Sequence, residues 1–265
     1  MDTAPSGFAV AQVACPVLES VAVGQRYHRL VVAAPGLAAR TRPGQFCHLL
    51  CRDAGGSGPF LRRPMSVWRI GADGTLGFLL HVKGRGTAAL ARLRPGDALD
   101  VVGPLGVGFA LPPTARRILV LARGVGLATL APLVGSGPQV HAVLSARAPG
   151  DLMADEFGAS SYDAVFDSDG SSAPAAVEAL LRRRFETERP DAVFTCGSNR
   201  LFLVLQRLAA EYGIPGQVAL EQQMGCGLGM CFCCVRDIRD EAGHISHQRV
   251  CREGPVFDLQ QALAW

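Results

Sequence analysis

The residues most able to do chemistry crowd toward the carboxyl end. Cys226-Gly-Leu-Gly-Met-Cys231-Phe-Cys-Cys234 is followed by one further cysteine, Cys251. Cys226, Cys231 and Cys234 are spaced C-x4-C-x2-C with the fourth sulfur remote, which is the plant-type [2Fe-2S] spacing. Soft thiolates suit iron because sulfur spreads charge. A loop wrapping such a cluster must aim backbone N–H groups at sulfur, and Gly225, Gly227 and Gly229 are expected to supply the positive φ values that this wrapping needs. Two other readings stay open. One is a four-cysteine zinc site, although zinc favours paired C-x2-C knuckles and only one such pair is present. The other is a set of reduced structural thiols. Cys233 sits beside a candidate ligand and is expected to point away from it, because neighbours on an extended segment face opposite sides.

Three earlier segments carry ligand chemistry. Leu61-Arg62-Arg63-Pro64-Met65-Ser66 places a basic pair ahead of a strand; alone the signal is weak, since such a pair is most often a solvated strand entry. His81-Val82-Lys83-Gly84-Arg85-Gly86-Thr87 joins glycines, a hydroxyl and cations ahead of a helix-compatible run. That is the local chemistry of a phosphate cradle. Arg123-Gly124-Val125-Gly126-Leu127-Ala128 is a glycine turn after a buried apolar run, placed to aim helix N–H groups at a pyrophosphate. It lacks a full G-x-G-x-x-G, so a tight turn that needs glycine only for packing is the competing reading.

The elements that must position these residues fall into three parts. Up to about Pro113, short Val-, Leu- and Ile-rich runs recur: 11–17, 27–33, 45–51, 66–70, 76–82 and 98–102. Breakers such as Pro35-Gly36, Pro43-Gly44, Gly55-Gly56, Asp73-Gly74 and Pro95-Gly96 separate them, as in an antiparallel barrel or sandwich. From Arg116 the character changes. Ile118-Leu119-Val120-Leu121-Ala122 reads as a strand buried on both faces. A helix-compatible stretch follows to about Leu133. Strand candidates at 139–144, 164–166, 192–196 and 217–220 alternate with helical segments at 173–185 and 199–212, which implies a doubly wound parallel sheet. The expected division is 1–113, 114–220 and 221–265, an α+β multidomain chain.

With 265 residues, 49% apolar and 18% charged, the chain can bury substantial cores. A net charge of +3 without a basic stripe argues against nucleic-acid binding. No apolar run reaches the roughly 20 residues that span a bilayer. The leading MDTAPSGFAV lacks a basic n-region and a long apolar h-region. A cytoplasmic location is therefore expected, where nine cysteines stay reduced and a cluster of them points to metal.

Taken together, these residues resemble the ferredoxin-reductase superfamily and, within it, the electron-transfer subunits of two-subunit, NAD-linked dihydroorotate dehydrogenases. The resemblance covers nearly the whole chain. It implies an N-terminal FAD-binding barrel with an R-P-x-S motif, matched by Arg63-Pro64-Met65-Ser66, and a G-T pair for the FAD pyrophosphate, matched by Gly86-Thr87. It places Leu79, Leu80 and His81 on a flavin-contacting strand and maps the four cluster ligands onto Cys226, Cys231, Cys234 and Cys251. Glu221 and Gly254-Pro255-Val256-Phe257 also fit. Gly124 and Gly126 fall at the NAD(P) loop. There are departures. Ala122 and Arg123 precede Gly124 where the family has a glycine run, and Thr129 stands where a proline is expected. The family's C-G-P is Cys196-Gly197-Ser198, and its strand arginine is His81, leaving Lys83 or Arg85 to compensate. Arg123 is expected either to clash with a pyrophosphate or to add a cation there. Ser145-Ala146-Arg147 and Asp151-Leu152 resemble the family's segment after the second strand.

The implied activity is a relay within a hetero-oligomer. Electrons from a catalytic flavin dehydrogenase subunit pass through [2Fe-2S] and FAD to NAD(P), or the reverse, with Cys196 near the flavin–nicotinamide contact as a positioning group. The competing reading of Cys196 is a buried strand-end thiol. One alternative keeps the relay but drops nicotinamide, and a second is a zinc-stabilised, non-redox binding module.

Overall fold

The computed structural model describes residues 10–51 and 58–264. The Gly55-Gly56 breaker and the leading segment before Val10 lie outside the described residues. Six strands close an antiparallel barrel: β1 Ala11–Val23, β2 Tyr27–Ala33, β3 Phe46–Leu49, β4 Arg63–Ile70, β5 Thr75–His81 and β6 Ala98–Leu105. Their order is β1-β2-β5-β4-β3-β6. β2 and β6 alternate strictly between buried and accessible positions, the period-2 signature of a half-buried strand. Leu30, Val32, Phe78, Leu80 and Val101 fill the interior. Each contributes about 1.5–3 kcal/mol on burial, and closure leaves no open sheet edge. β1 runs on to Val23, past the expected end at residue 17, through an irregularity between Val17 and Glu19.

Five parallel strands build the second layer: β7 Arg117–Arg123, β8 Gln139–Ala146, β9 Ser161–Phe166, β10 Ala192–Cys196 and β11 Gly216–Ala219. The central five residues of β7 and all five of β10 are buried, as a sheet covered on both faces requires. The helices Pro174–Thr187 and Asn199–Glu211 cover one face through Val177, Leu181, Phe185, Leu201, Phe202 and Leu205. Ser198 caps the second helix by accepting from the Leu201 N–H. The stretch after Gly126 is not one helix. It breaks into short turns at Gly124–Gly126, Leu127–Leu130 and Ala131–Leu133, consistent with Pro132, which has no N–H to continue the ladder. Strand order reverses between β7 and β10, so the ligand crevice lies above their carboxyl ends.

The sequence reading assigned no strands beyond residue 220. The structure has three: a hairpin of β12 Val235–Arg239 with β13 Ile245–Arg249, and β14 Val256–Asp258. β14 pairs antiparallel with β11, so the chain leaves the large sheet at Ala219 and rejoins it at Val256. The Gln206 side chain donates to the carbonyls of Leu259 and Ala262 and pins the tail. The barrel is tied to the sheet layer by the Trp68 indole N–H, which donates to the Glu156 carbonyl at 2.6 Å, and by Arg29–Glu156 at 2.7 Å. Among the described residues, no helix is long and apolar enough to cross a membrane.

Candidate functional site

A cleft of about 640 Å³ opens where barrel, sheet and carboxyl-terminal segment meet. That falls within the roughly 300–1,000 Å³ typical of ligand sites. β4 contributes Arg63, Pro64, Met65 and Ser66, and β5 contributes Leu79 and His81. Lys83, Gly84, Arg85, Gly86 and Thr87 close one end. Leu80 does not line it. Strand alternation turns that side chain into the barrel core, where it is fully buried. Val125 of the glycine turn also lines the cleft, as do Phe46, Gln222, Gln223 and Met224, which no sequence motif marks.

The phosphate-cradle end is built tightly. A Cβ on Gly86 would sit 2.9 Å from the Arg63 Nε, so the glycine lets the guanidinium lie against the turn. The Thr87 hydroxyl accepts from the N–H groups of Lys83 and Gly84 and donates to the Gly84 carbonyl. It therefore shapes the turn, and the cations Arg63, Lys83 and Arg85 supply the charge for an anionic ligand. The His81 ring lies 5.2 Å from that of Tyr27, tilted by 40°. Burial and the nearby Lys83 lower its pKa, so it carries little charge at neutral pH. The donor set and the glycine cradle fit a dinucleotide flavin with its diphosphate at this end.

At the other end lie Cys196, Glu221 and Thr129. Cys196 is buried, and desolvation with the Glu221 carboxylate drives its thiol pKa far up. It is no nucleophile. Its Sγ donates to Thr129 Oγ1 at 3.7 Å, and Glu221 Oε1 stands 4.0 Å away. Glu221 exposes its surface to the cleft but is ringed by protein, and that desolvation raises its carboxyl pKa. Thr129, noted in the sequence only as a departure, donates to Ser66 Oγ at 2.7 Å.

The cysteine loop follows directly, since Leu220 through Met224 wall the cleft and Cys226 comes two residues later. The four sulfurs form two pairs, Cys226 with Cys231 and Cys234 with Cys251. N–H groups of Leu228 and Met230 donate to the Cys226 Sγ at 3.4 and 3.3 Å. Gly229 donates to Cys251 at 3.2 Å and Cys251 to Cys234 at 3.4 Å. Burial alone would raise the Cys226 thiol, but the N–H groups of Leu228, Cys231 and Met230 bring it down to about 7. Among the described residues, no three His, Cys, Asp or Glu side chains gather around one point. Two sulfur pairs ringed by N–H donors fit a group with two irons, each taking two thiolates.

Gly227 and Gly229 adopt φ of +68° and +80°, as the wrapping requires. Gly225 does not; its missing Cβ instead leaves room for the Cys231 sulfur, 3.3 Å from where that carbon would stand. Gly227 also packs on the barrel. A Cβ there would fall 2.6 Å from the His48 Nε2, a buried nitrogen with no hydrogen-bond partner among the described residues. Cys233 is exposed, though strand alternation is not the reason. Phe232 takes φ +55°, under the Arg249 guanidinium at 4.9 Å, and turns the chain between the ligands. Replacing Cys233 by Ser is expected to leave iron and sulfide content unchanged; loss of iron on elemental analysis would displace Cys234 from the ligand set.

At the nucleotide turn, Gly126 packs directly against the end of β10. A Cβ would meet the Cys196 carbonyl oxygen and the Gly197 Cα at 2.8 Å. Gly124 takes φ +51°. Neither glycine lines the cleft, whereas Val125 between them does. The Arg123 side chain does not block the turn. Its guanidinium spans to Ser145 Oγ at 2.6 Å and to Asp167 at 2.5 Å, and Arg200 joins Asp167 at 2.7 Å. These arginines hold the Asp167 carboxyl far below its ordinary value.

Comparison with known proteins places this architecture. The model of the iron-sulfur cluster binding domain of dihydroorotate dehydrogenase B matches residues 221–262. The electron transfer subunit of dihydroorotate dehydrogenase B (NAD(+)) from Desulforamulus reducens is 35% identical over 87% of this chain and 90% of its own length. The corresponding protein from Bacillus caldolyticus is 32% identical over 89% and 92%. Among solved structures, an NADH-dependent reduced ferredoxin-NADP oxidoreductase, described in connection with flavin-based electron bifurcation, superposes with a TM-score of 0.75 at 26% identity. That match covers 94% of this chain and 89% of the other. This chain belongs to the family of dihydroorotate dehydrogenase B (NAD(+)) electron transfer subunits.

Proposed function

We propose that this chain relays electrons between a catalytic dihydroorotate dehydrogenase subunit and NAD(P), using a [2Fe-2S] cluster and FAD. The observation that carries the reading is the continuity of cleft and cysteine loop through Leu220–Met224. A flavin in the cleft supplies the exchange between two-electron hydride chemistry and the one-electron chemistry of a cluster. Arg63, Lys83 and Arg85 hold its diphosphate end, with Thr87 keeping the Gly84–Gly86 turn in shape. Pro64, Met65, Ser66, Leu79 and His81 wall the ring portion. Cys226, Cys231, Cys234 and Cys251 hold the irons. Cys196 stays protonated and positions its neighbours. Gly124 and Gly126 let a nicotinamide nucleotide approach the crevice above β7 and β10. Residues 1–113, 114–220 and 221–265 serve as flavin, nucleotide and cluster units, with the third lending β14 to the second.

Leu228, Met230 and Phe232 project from the cluster loop at 47%, 76% and 62% exposure. They form the face on which the catalytic subunit docks, because exposed apolar groups gathered at one place mark contact sites. A cytoplasmic location follows from the need to keep the thiols reduced.

The test is anaerobic purification with its partner. The expected result is about two irons and two labile sulfides per chain together with one bound FAD. Zinc without iron would sink the relay. The reduced complex is then titrated with NAD+ and NADP+. Reoxidation by either supports nicotinamide binding, and reoxidation by neither favours exchange with another redox protein.

A further inference from the structure

The threonine at position 129 lies among Leu127, Ala128 and Leu130 in an apolar turn. It is 4% exposed, and a hydroxyl so buried is costly unless hydrogen-bonded on both sides. It is so bonded: the Cys196 thiol donates to it, and it donates to Ser66 across the junction between sheet layer and barrel. Each group in this line has one hydrogen to give. The thiol hydrogen faces two acceptors, Thr129 Oγ1 at 3.7 Å and Glu221 Oε1 at 4.0 Å, while the threonine hydrogen goes to Ser66, and the serine hydrogen has no protein acceptor among the described residues. Ser66 lines the cleft. The threonine hydrogen bond therefore points outward, from the buried turn to the wall of the cleft.

We propose that Thr129 is a positioning residue for the redox cleft: by giving its hydrogen to Ser66, it commits the Ser66 hydroxyl to donate toward the flavin ring. This rests on the assignment of the cleft to FAD. Without the threonine hydroxyl, Ser66 loses the donor that fixes its rotor, and its hydrogen is free to turn to solvent. A bound ring then loses part of a hydrogen bond that strengthens as the ring becomes electron-rich. The Cys196 thiol cannot substitute, because Thr129 stands between it and Ser66.

The experiment uses the purified complex with Thr129→Val, which keeps the shape and removes the hydroxyl, and Thr129→Ser, which restores it. Both are expected to retain stoichiometric FAD. Thr129→Val should shift the flavin absorption band and slow flavin reduction by NADH about five- to tenfold, the scale of one hydrogen bond, at unchanged KM. Thr129→Ser should return both the band and the rate to within about twofold of the parent protein. A Thr129→Val protein with the parent spectrum and rate overturns the proposal, as does a Thr129→Ser protein as impaired as Thr129→Val. If Thr129→Val fails to fold, Ser66→Ala decides: a band unmoved by that change overturns the proposal whatever position 129 carries. Parent protein without flavin would instead remove the assignment on which the proposal rests.

Discussion

Cys226→Ser is expected to strip the iron from this chain, taking it from about two atoms to near none, while FAD stays bound. Cys226 is the sulfur on which the loop is centred. Two backbone N–H groups, from Leu228 and Met230, end on it. Those donors, with the Cys231 N–H, hold its thiol near 7, so it readily becomes thiolate at neutral pH. A serine hydroxyl stays protonated there and is a hard ligand for a site built of soft ones. Losses around a metal site typically run 10–100-fold even for supporting groups, so losing a direct ligand should lower electron delivery to the catalytic subunit by more than about 100-fold. NADH oxidation by a small artificial acceptor at the flavin should continue within about twofold, since no wall of the cleft is altered. Iron, sulfide and both activities are measurable on one preparation. A brown protein with full iron would show that Cys226 is not a ligand.

The largest effect on stability is expected from Gly197→Ala. Gly197 takes φ +97°, and a Cβ there would stand 2.3 Å from the Arg123 carbonyl oxygen. Both partners are backbone, so no rotamer change relieves the contact. Backbone strain of about 1–3 kcal/mol adds to overpacking of about 1–3 kcal/mol. A combined loss near 3 kcal/mol lowers Tm by roughly 6–12 °C in a chain of this size. The βα turn carrying Gly124 to Gly126 rests on this same contact, so NAD(P) binding should weaken as well. Gly36→Ala is the control: its φ is ordinary, nothing lies within 4 Å of the added carbon, and its Tm should hold or rise. Equal Tm values for the two variants would show that the packing of the two turns is not needed.

Sheet and barrel were legible because the alternating and continuous apolar patterns are consequences of burial geometry. β2 and β10 match the sequence reading residue for residue. The carboxyl-terminal iron-sulfur domain was legible for a similar reason, since iron calls for sulfur and a tight loop calls for glycine. Leu80 was misplaced because a motif names neighbours together while a strand sends them to opposite faces. Arg123 could not be resolved from sequence, as its course depends on Asp167, which only the folded sheet brings near. Strands β12, β13 and β14 are short and polar at many positions, and a three-residue strand has no periodicity to detect. Thr129 and Ser66 are far apart in sequence and on different layers, so their hydrogen bond left no local trace.

The return of the chain at β14 has a mechanical result. A redox group on a flexible arm would swing between its exchange partners, and its turnover would depend on solvent friction. Here both feet of the arm are stitched into the same sheet, one at Ala219 and the other at Val256. The distance over which an electron must jump is thus set by architecture. Electron exchange inside this polypeptide should be indifferent to added glycerol, leaving only the encounter with other molecules to slow in a thicker medium.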